Sequence, residues 1–138
     1  MKDVFCKIID GEIPSTRVYE DEDVLAILDI SQTTRGHTLV MPKKHCESLL
    51  SCPAETLTKV MMIAQRIGQA EVSILGAKGV NILANCGEAA GQSVPHFHVH
   101  VIPRYIGGEG GFRLEMTSQD TSKMNLPMLA KEISDAMK

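Results

Sequence analysis

A chain of 138 residues is long enough for one hydrophobic core and too short for two large ones. Its formal net charge of −3 and pI near 5.9 leave no basic footprint for nucleic acid, and the Lys43-Lys44 pair is too short to make one. No apolar run approaches membrane-spanning length, Met1-Lys2-Asp3 is expected to lead directly into the fold without a signal peptide, and Cys6, Cys46, Cys52 and Cys86 lack the spacing of a disulfide framework, so a reducing cytoplasm is the expected compartment.

In chain order, residues 6–10 read as a short helix closed by Gly11, and Pro14 precedes a strand over 16–20. Asp21-Glu22-Asp23 makes a turn into a second strand, 24–28, and a third follows over 38–42. Pro53 at a first helical position, with Glu55 in the first turn, opens the one long helix, which runs to Leu75 before Gly76. Along it Leu57, Val60, Met61, Ala64, Ile67 and Ile74 or Leu75 recur at helical spacing, an apolar stripe expected to pack on the sheet or on a partner subunit. A strand over 80–84 follows, then an apolar, β-branched run from 96 that Pro103 ends. After Arg104-Tyr105, residues 106–112 are glycine-rich, and an amphipathic helix near 126–137 has Pro127 at its start. These elements predict an α+β fold: an antiparallel sheet of about five strands with helices to one side, one domain over 1–105, and an extension, 106–138, packed on it.

The run His96-Phe97-His98-Val99-His100-Val101-Ile102-Pro103 carries the chemistry. Alternation with Phe97, Val99 and Val101 sends the three histidines to one face of a strand, roughly 6.6 Å apart at about 3.3 Å per residue. That is close enough to surround one phosphate-sized group. Alternating histidines also supply ligands to zinc, and spacing alone leaves both readings open. Upstream lies Asn85-Cys86-Gly87-Glu88-Ala89-Ala90-Gly91-Gln92-Ser93, a small-residue loop in which Gly87 and Gly91 permit an anion-binding nest and Gln92 and Ser93 add side-chain donors.

The stretch 91–104 resembles the signature of the histidine triad (HIT) family of nucleotide hydrolases and transferases. Phe5-Cys6-Lys7-Ile8-Ile9-Asp10-Gly11-Glu12-Ile13-Pro14-Ser15 is similar to the opening of its Hint branch and bacterial relatives, and Asp29-Ile30 with 36–45 to the middle of that branch. The resemblance implies a HIT-like fold whose sheets join across a homodimer. It implies His98 as the nucleophile toward the α-phosphorus of a nucleotide derivative, with a nucleotidyl-histidine intermediate that water hydrolyses. His100 would contact phosphoryl oxygens, Ser93 would lie near the leaving group, and His37, with His96, would complete the catalytic set. Asp29 would bind the ribose hydroxyls and Asn85 would lie near ribose and phosphate, beside Gly91 and Gln92. Phe5, Ile8, Ile9, Ile27 and Ile30 would wall an apolar base slot that accepts adenine and guanine alike.

No cofactor is implied for the chemistry itself. Bacterial relatives often hold a structural zinc with an opening Cys-x-x-Cys and two histidines; here aspartate stands at the first thiol, leaving Asp3, Cys6, His45 and His96 as the ligand set. The expected partners are purine nucleoside phosphates and a second copy of the chain, and the expected activity is hydrolysis of nucleoside 5′-phosphoramidates. A Fhit-type hydrolase of dinucleoside polyphosphates and a zinc-stabilised regulatory protein are the alternatives. Animal Hint proteins end soon after the triad with a tryptophan-bearing tail; this chain has no tryptophan and runs on past residue 105, so leaving-group preference does not transfer.

Overall fold

Asp3 decides where the first helix begins. Its carboxylate accepts the Cys6 N–H at 2.7 Å, so α1 (Val4–Ile9) starts ahead of the expected residue 6. The computed structural model describes residues 2–107 and 113–138; of the glycine-rich stretch expected over 106–112, residues 108–112 lie outside the described residues.

Five strands form one antiparallel sheet: β1 (Arg17–Glu20), β2 (Val24–Leu28), β3 (Thr38–Pro42), β4 (Gly79–Leu83) and β5 (Val99–Arg104), in the order β1-β2-β3-β5-β4. Asp21 makes the first hairpin: one carboxylate oxygen accepts the N–H groups of Asp23 and Val24, each at 2.8 Å. The long helix α2 (Ala54–Leu75) carries the chain from β3 to the edge strand β4 and stops where Gly76 takes φ +77°.

The sheet is covered on both faces. Val24 and Ala26 of β2 join Val40, Phe97, Val99 and Val101 beneath α2, while Leu25, Ile27, Leu39 and Met41 pack under Phe5 and Ile8 of α1. Period-two alternation therefore assigns Val99 and Val101 of β5 to the α2 side and His100 to the α1 side. The expectation of helices on one side is corrected here, because β2 and β3 are apolar on both faces and α1 covers the second.

The buried stripe of α2 is Val60, Ile63, Ala64, Ile67, Gly68 and Glu71. Met61, expected in it, is 37% exposed and the face turns through Ile63 instead; of the expected Ile74 or Leu75, Ile74 is 81% exposed and Leu75 is half-buried. Glu71 holds a core position although it is acidic: it is 6% exposed, one carboxylate oxygen has no partner, and burial raises its pKa from 4.5 to about 7.

Pro103 does not end its strand. It pairs with Val80 inside β5, past the last β3 partner at Val101, so a residue without an N–H costs no bond to β3. The helix expected near 126–137 is α3 (Leu126–Ala136), capped by Asn125, whose side chain accepts the Met128 N–H. Residues 113–138 are exposed throughout, and α3 buries no side chain.

Candidate active site

Three of the five histidines meet on the α1 face at the middle of the sheet. His98 precedes β5, His100 lies within it opposite Leu39 of β3, and His37 arrives from the turn before β3. The rings of His98 and His100 are 5.1 Å apart between centroids, and His37 Nε2 lies 2.9 Å from His100 Nδ1. Phe5 of α1 closes on His98 edge to face at 4.9 Å.

Hydrogen bonds select the tautomers. His98 Nδ1 lies 2.7 Å from its neighbour's main-chain oxygen, that of His96, and can only donate to it, which leaves Nε2 as the unprotonated nitrogen. The Thr33 N–H donates to His37 Nδ1 at 3.4 Å, so His37 Nε2 carries the proton and donates to His100 Nδ1. His100 then keeps its own proton on Nε2. A lone pair on His98 thus stands beside an N–H donor on His100.

Burial keeps this pair neutral. It pushes His98 below the ordinary imidazole value, and burial, followed by the neighbouring His98 and His37, pushes His100 down to about 4.

His96 is not part of this group. It is fully buried, its Nε2 donates to the Pro42 carbonyl at 2.8 Å, and its Nδ1 faces Asp3 Oδ2 at 3.3 Å and Cys6 Sγ at 3.6 Å. The expectation that all three triad rings surround one phosphate is corrected: a shared strand face sets the side of the sheet, but each ring still rotates, and that of His96 is drawn to the Asp3 cap.

That second cluster is completed by His45, whose Nδ1 lies 3.1 Å from Asp3 Oδ2 and 3.8 Å from Cys6 Sγ. A tetrahedral zinc with its usual bond lengths needs donors about 3.6 Å apart for sulfur and nitrogen and about 3.3 Å for nitrogen and oxygen. The four side chains fit such an ion closely.

An open cavity of about 790 Å³ adjoins the histidines on the α1 face, lined by Phe5, Ile8, Ile27, Asp29 and Ile30 as expected, and also by Ile13, Gln32 and Leu39. Ile30 is wholly exposed at its rim. Ile9 does not line it and packs on the core cluster instead. Asp29 is fixed by the Ser31 N–H at 2.8 Å and holds its other oxygen 3.6 Å from His37 Nε2. Leu39 was legible as the α1-side residue of β3 by alternation; Thr33, which sets the His37 tautomer, carried no sequence signal.

The loop before β5 is tied internally. Gln92 accepts the Gly87 N–H and donates to the Glu47 and Val94 carbonyls, at 2.8, 2.7 and 2.9 Å, so both ends of its amide are engaged. The N–H groups of Ala90, Gly91 and Gln92 also bond within the loop, and Asn85 donates to the Gly91 carbonyl. The expected anion nest at Gly87 and Gly91 is thereby corrected, since those amides already have acceptors. Gln92 and Asn85 shape the loop, and Ser93 is exposed at its end.

Comparison with known proteins agrees with this geometry. The HIT domain model matches residues 10–107. The chain is 48% identical over 120 residues to the protein named hit of Bacillus subtilis, covering 87% of this chain and 83% of that one. It is 42% identical over 101 residues to the adenylylsulfatase HINT3 of Arabidopsis thaliana, covering 73% of this chain and 51% of that one. A crystal structure of a HIT family protein from Bacillus anthracis superposes with a TM-score of 0.90 at 44% identity, covering 98% of this chain and 96% of that one. A Zn-bound histidine triad family protein from Mycobacterium smegmatis superposes with a TM-score of 0.75 at 43% identity, covering 96% of each. With its sheet order, its paired imidazoles and these matches, the chain belongs to the histidine triad family.

Proposed function

We propose that the protein is a nucleotide hydrolase that cleaves purine nucleoside 5′-phosphoramidates through a nucleotidyl intermediate on His98. The observation that carries this reading is the 2.7 Å bond from His98 Nδ1–H to the His96 carbonyl, which supports Nε2 as a ready nucleophile without a separate base. In the first step Nε2 bonds to the α-phosphorus while the phosphorus–nitrogen bond breaks, and the nitrogen departs as an amine with a proton taken from solvent at the open cavity. The His100 Nε2–H donates to a phosphoryl oxygen, a contact of the kind whose loss costs roughly 10² to 10³ in rate. Ser93 lies near the leaving group. In the second step water displaces His98 and releases the nucleoside monophosphate.

The base lies in the apolar cavity against Phe5, Ile8 and Ile27, and the ribose hydroxyls bond to the Asp29 carboxylate. The named adenylylsulfatase activity of the Arabidopsis relative supports the class, an adenylyl group with a variable partner on phosphorus. The proposed chemistry uses no metal. A structural zinc at Asp3, Cys6, His45 and His96 belongs to the proposal, supported by the tetrahedral spacing of the donors and by the Zn-bound relative.

A homodimer belongs to it too: β4 is an edge strand, and Gly68, Val72, Val80 and Ile82 beside it line an open apolar hollow that a second copy would cover. The chain acts in the cytoplasm on small molecules, and no helix among the described residues is long and apolar enough to cross a membrane.

Parallel turnover assays with adenosine phosphoramidate and diadenosine triphosphate test the substrate class. The reading expects the phosphoramidate to be hydrolysed at the higher kcat/KM and His98→Ala to abolish it. Turnover of the dinucleotide alone would replace it with the Fhit-type reading. One tightly held zinc per chain without turnover of either would favour a regulatory protein.

A further inference from the structure

The buried thiol of Cys46 and the half-buried thiol of Cys52 lie Sγ to Sγ at 2.9 Å, on opposite ends of the 3₁₀ turn Leu49–Ser51. Five residues of sequence separate them, and the turn brings them back together: the Ser51 and Cys52 N–H groups donate to the Ser48 and Leu49 carbonyls, and Ser48 caps the turn through the Leu50 N–H. Of the other two cysteines, Cys6 faces His45 and His96, and Cys86 faces the Ala84 carbonyl. Cys52 is itself partly exposed, which lets a peroxide reach it, and a cavity of about 340 Å³ lined by Lys44, His45, Cys46, Ser51, Pro53 and Thr56 adjoins its partner.

From this geometry we propose that Cys46 and Cys52 form a redox site that a peroxide oxidises to a reversible intramolecular disulfide. The thiolate of Cys52, the more exposed sulfur, attacks one peroxide oxygen; the O–O bond breaks, one water leaves and Cys52 becomes a sulfenic acid. The Cys46 sulfur then attacks the Cys52 sulfur, the S–O bond breaks, and the departing hydroxide takes the Cys46 proton as a second water. Two thiols lose two electrons and the peroxide gains them. A thiol reductant reverses the step, in keeping with a cytoplasmic protein whose cysteines are free at rest.

The bond reaches the histidine strand. Closing from 2.9 Å to a disulfide of about 2.05 Å draws the two sulfurs together by about 0.9 Å. The Cys46 carbonyl accepts the Phe97 N–H at 2.7 Å, and Phe97 lies between His96 and His98. The part of this closure that the Cys46 main chain takes up passes through that bond to the entry of β5 and shifts the nucleophile from its line to phosphorus, so the oxidised protein turns over about tenfold more slowly. This consequence for rate rests on the proposed hydrolase reading; the disulfide itself does not.

The test treats the full-length protein with a small excess of hydrogen peroxide, blocks free thiols by alkylation, and cleaves after Glu47, which separates Cys46 from Cys52. The expected result is a Cys46 peptide joined to a Cys52 peptide, lighter by two hydrogens than the two reduced peptides, released by dithiothreitol and absent from Cys52→Ser. A Cys6→Ser/Cys86→Ser double variant still forms it. Alkylation of both Cys46 and Cys52 after peroxide treatment, or sulfinic acid at Cys52 with no joined peptide, overturns the site. A joined peptide with unchanged turnover overturns the coupling to β5, and absence of turnover before oxidation counts against the hydrolase reading while the peptide map still decides the redox site.

Discussion

Replacing Glu71 by glutamine should stabilise the protein at neutral and alkaline pH and do nothing in acid. The carboxyl sits at a core position of α2, 6% exposed, with Oε1 unpartnered and Oε2 3.5 Å from the Thr38 hydroxyl. Burial lifts its pKa from the ordinary 4.5 to about 7, so the folded chain holds a proton that the unfolded chain releases. Below pH 4.5 both states are protonated and the group costs nothing. Between pH 4.5 and 7 only the unfolded state ionises, so stability falls as pH rises, and above 7 the full cost persists. At about 1.4 kcal/mol per pH unit that cost is about 3 kcal/mol. Glu71→Gln keeps the shape of the neutral acid and removes the titration. Urea unfolding of both proteins, followed by circular dichroism from pH 4 to pH 8.5, should give equal stabilities at pH 4 and an advantage of about 3 kcal/mol for Glu71→Gln at pH 8. A difference independent of pH, or a less stable variant at pH 8, would refute the reasoning.

Further outcomes follow from the site. Because burial holds His98 below the ordinary imidazole value and His100 at about 4, any acidic limb in the kcat/KM profile for the phosphoramidate should fall below pH 6.5; a limb at or above 6.5 counts against the buried, neutral nucleophile. The same burial makes His100 cost nothing above pH 6.5, where folded and unfolded states are both neutral, and destabilise the fold progressively as pH falls from 6.5 to 4, where only the unfolded state takes up the proton; urea unfolding midpoints that do not fall over that window would count against it. Asp29→Ala should raise KM roughly 10- to 100-fold through the lost ribose contacts, with a smaller change in kcat; steady-state kinetics that show an unchanged KM would remove Asp29 from the pocket. Asp3→Cys should tighten zinc binding in a chelator competition by making the cluster richer in thiolate, while costing the metal-free protein about 1 kcal/mol in urea unfolding through the lost helix cap.

The regular parts of the fold were legible because their signals are local. Strands β2 and β3 coincide with the expected 24–28 and 38–42, bounded by the Asp21 turn and by Pro42 itself, and α2 runs between Pro53 and Gly76 as those residues require. The histidine motif placed the site on β5 and its neighbours. What escaped depends on partners far along the chain. Strand alternation gives a face but no ring orientation, so the departure of His96 toward Asp3 and Cys6 was hidden. The Gln92 amide looked free because its acceptor, the Glu47 carbonyl, is 45 residues away. An acidic residue interrupts an apolar stripe, so Glu71 was read past, and Met61 took a place that Ile63 fills.

The central claim is that a single imidazole nitrogen on His98 bonds to phosphorus during turnover. Rapid acid quenching of enzyme mixed with adenosine phosphoramidate, followed by peptide mass spectrometry, measures that bond directly. An added AMP mass is expected on the peptide containing His98, gone in His98→Ala and present in His96→Ala. An AMP adduct of equal yield in His98→Ala, or turnover of wild type with no adduct at any quench time, would contradict it.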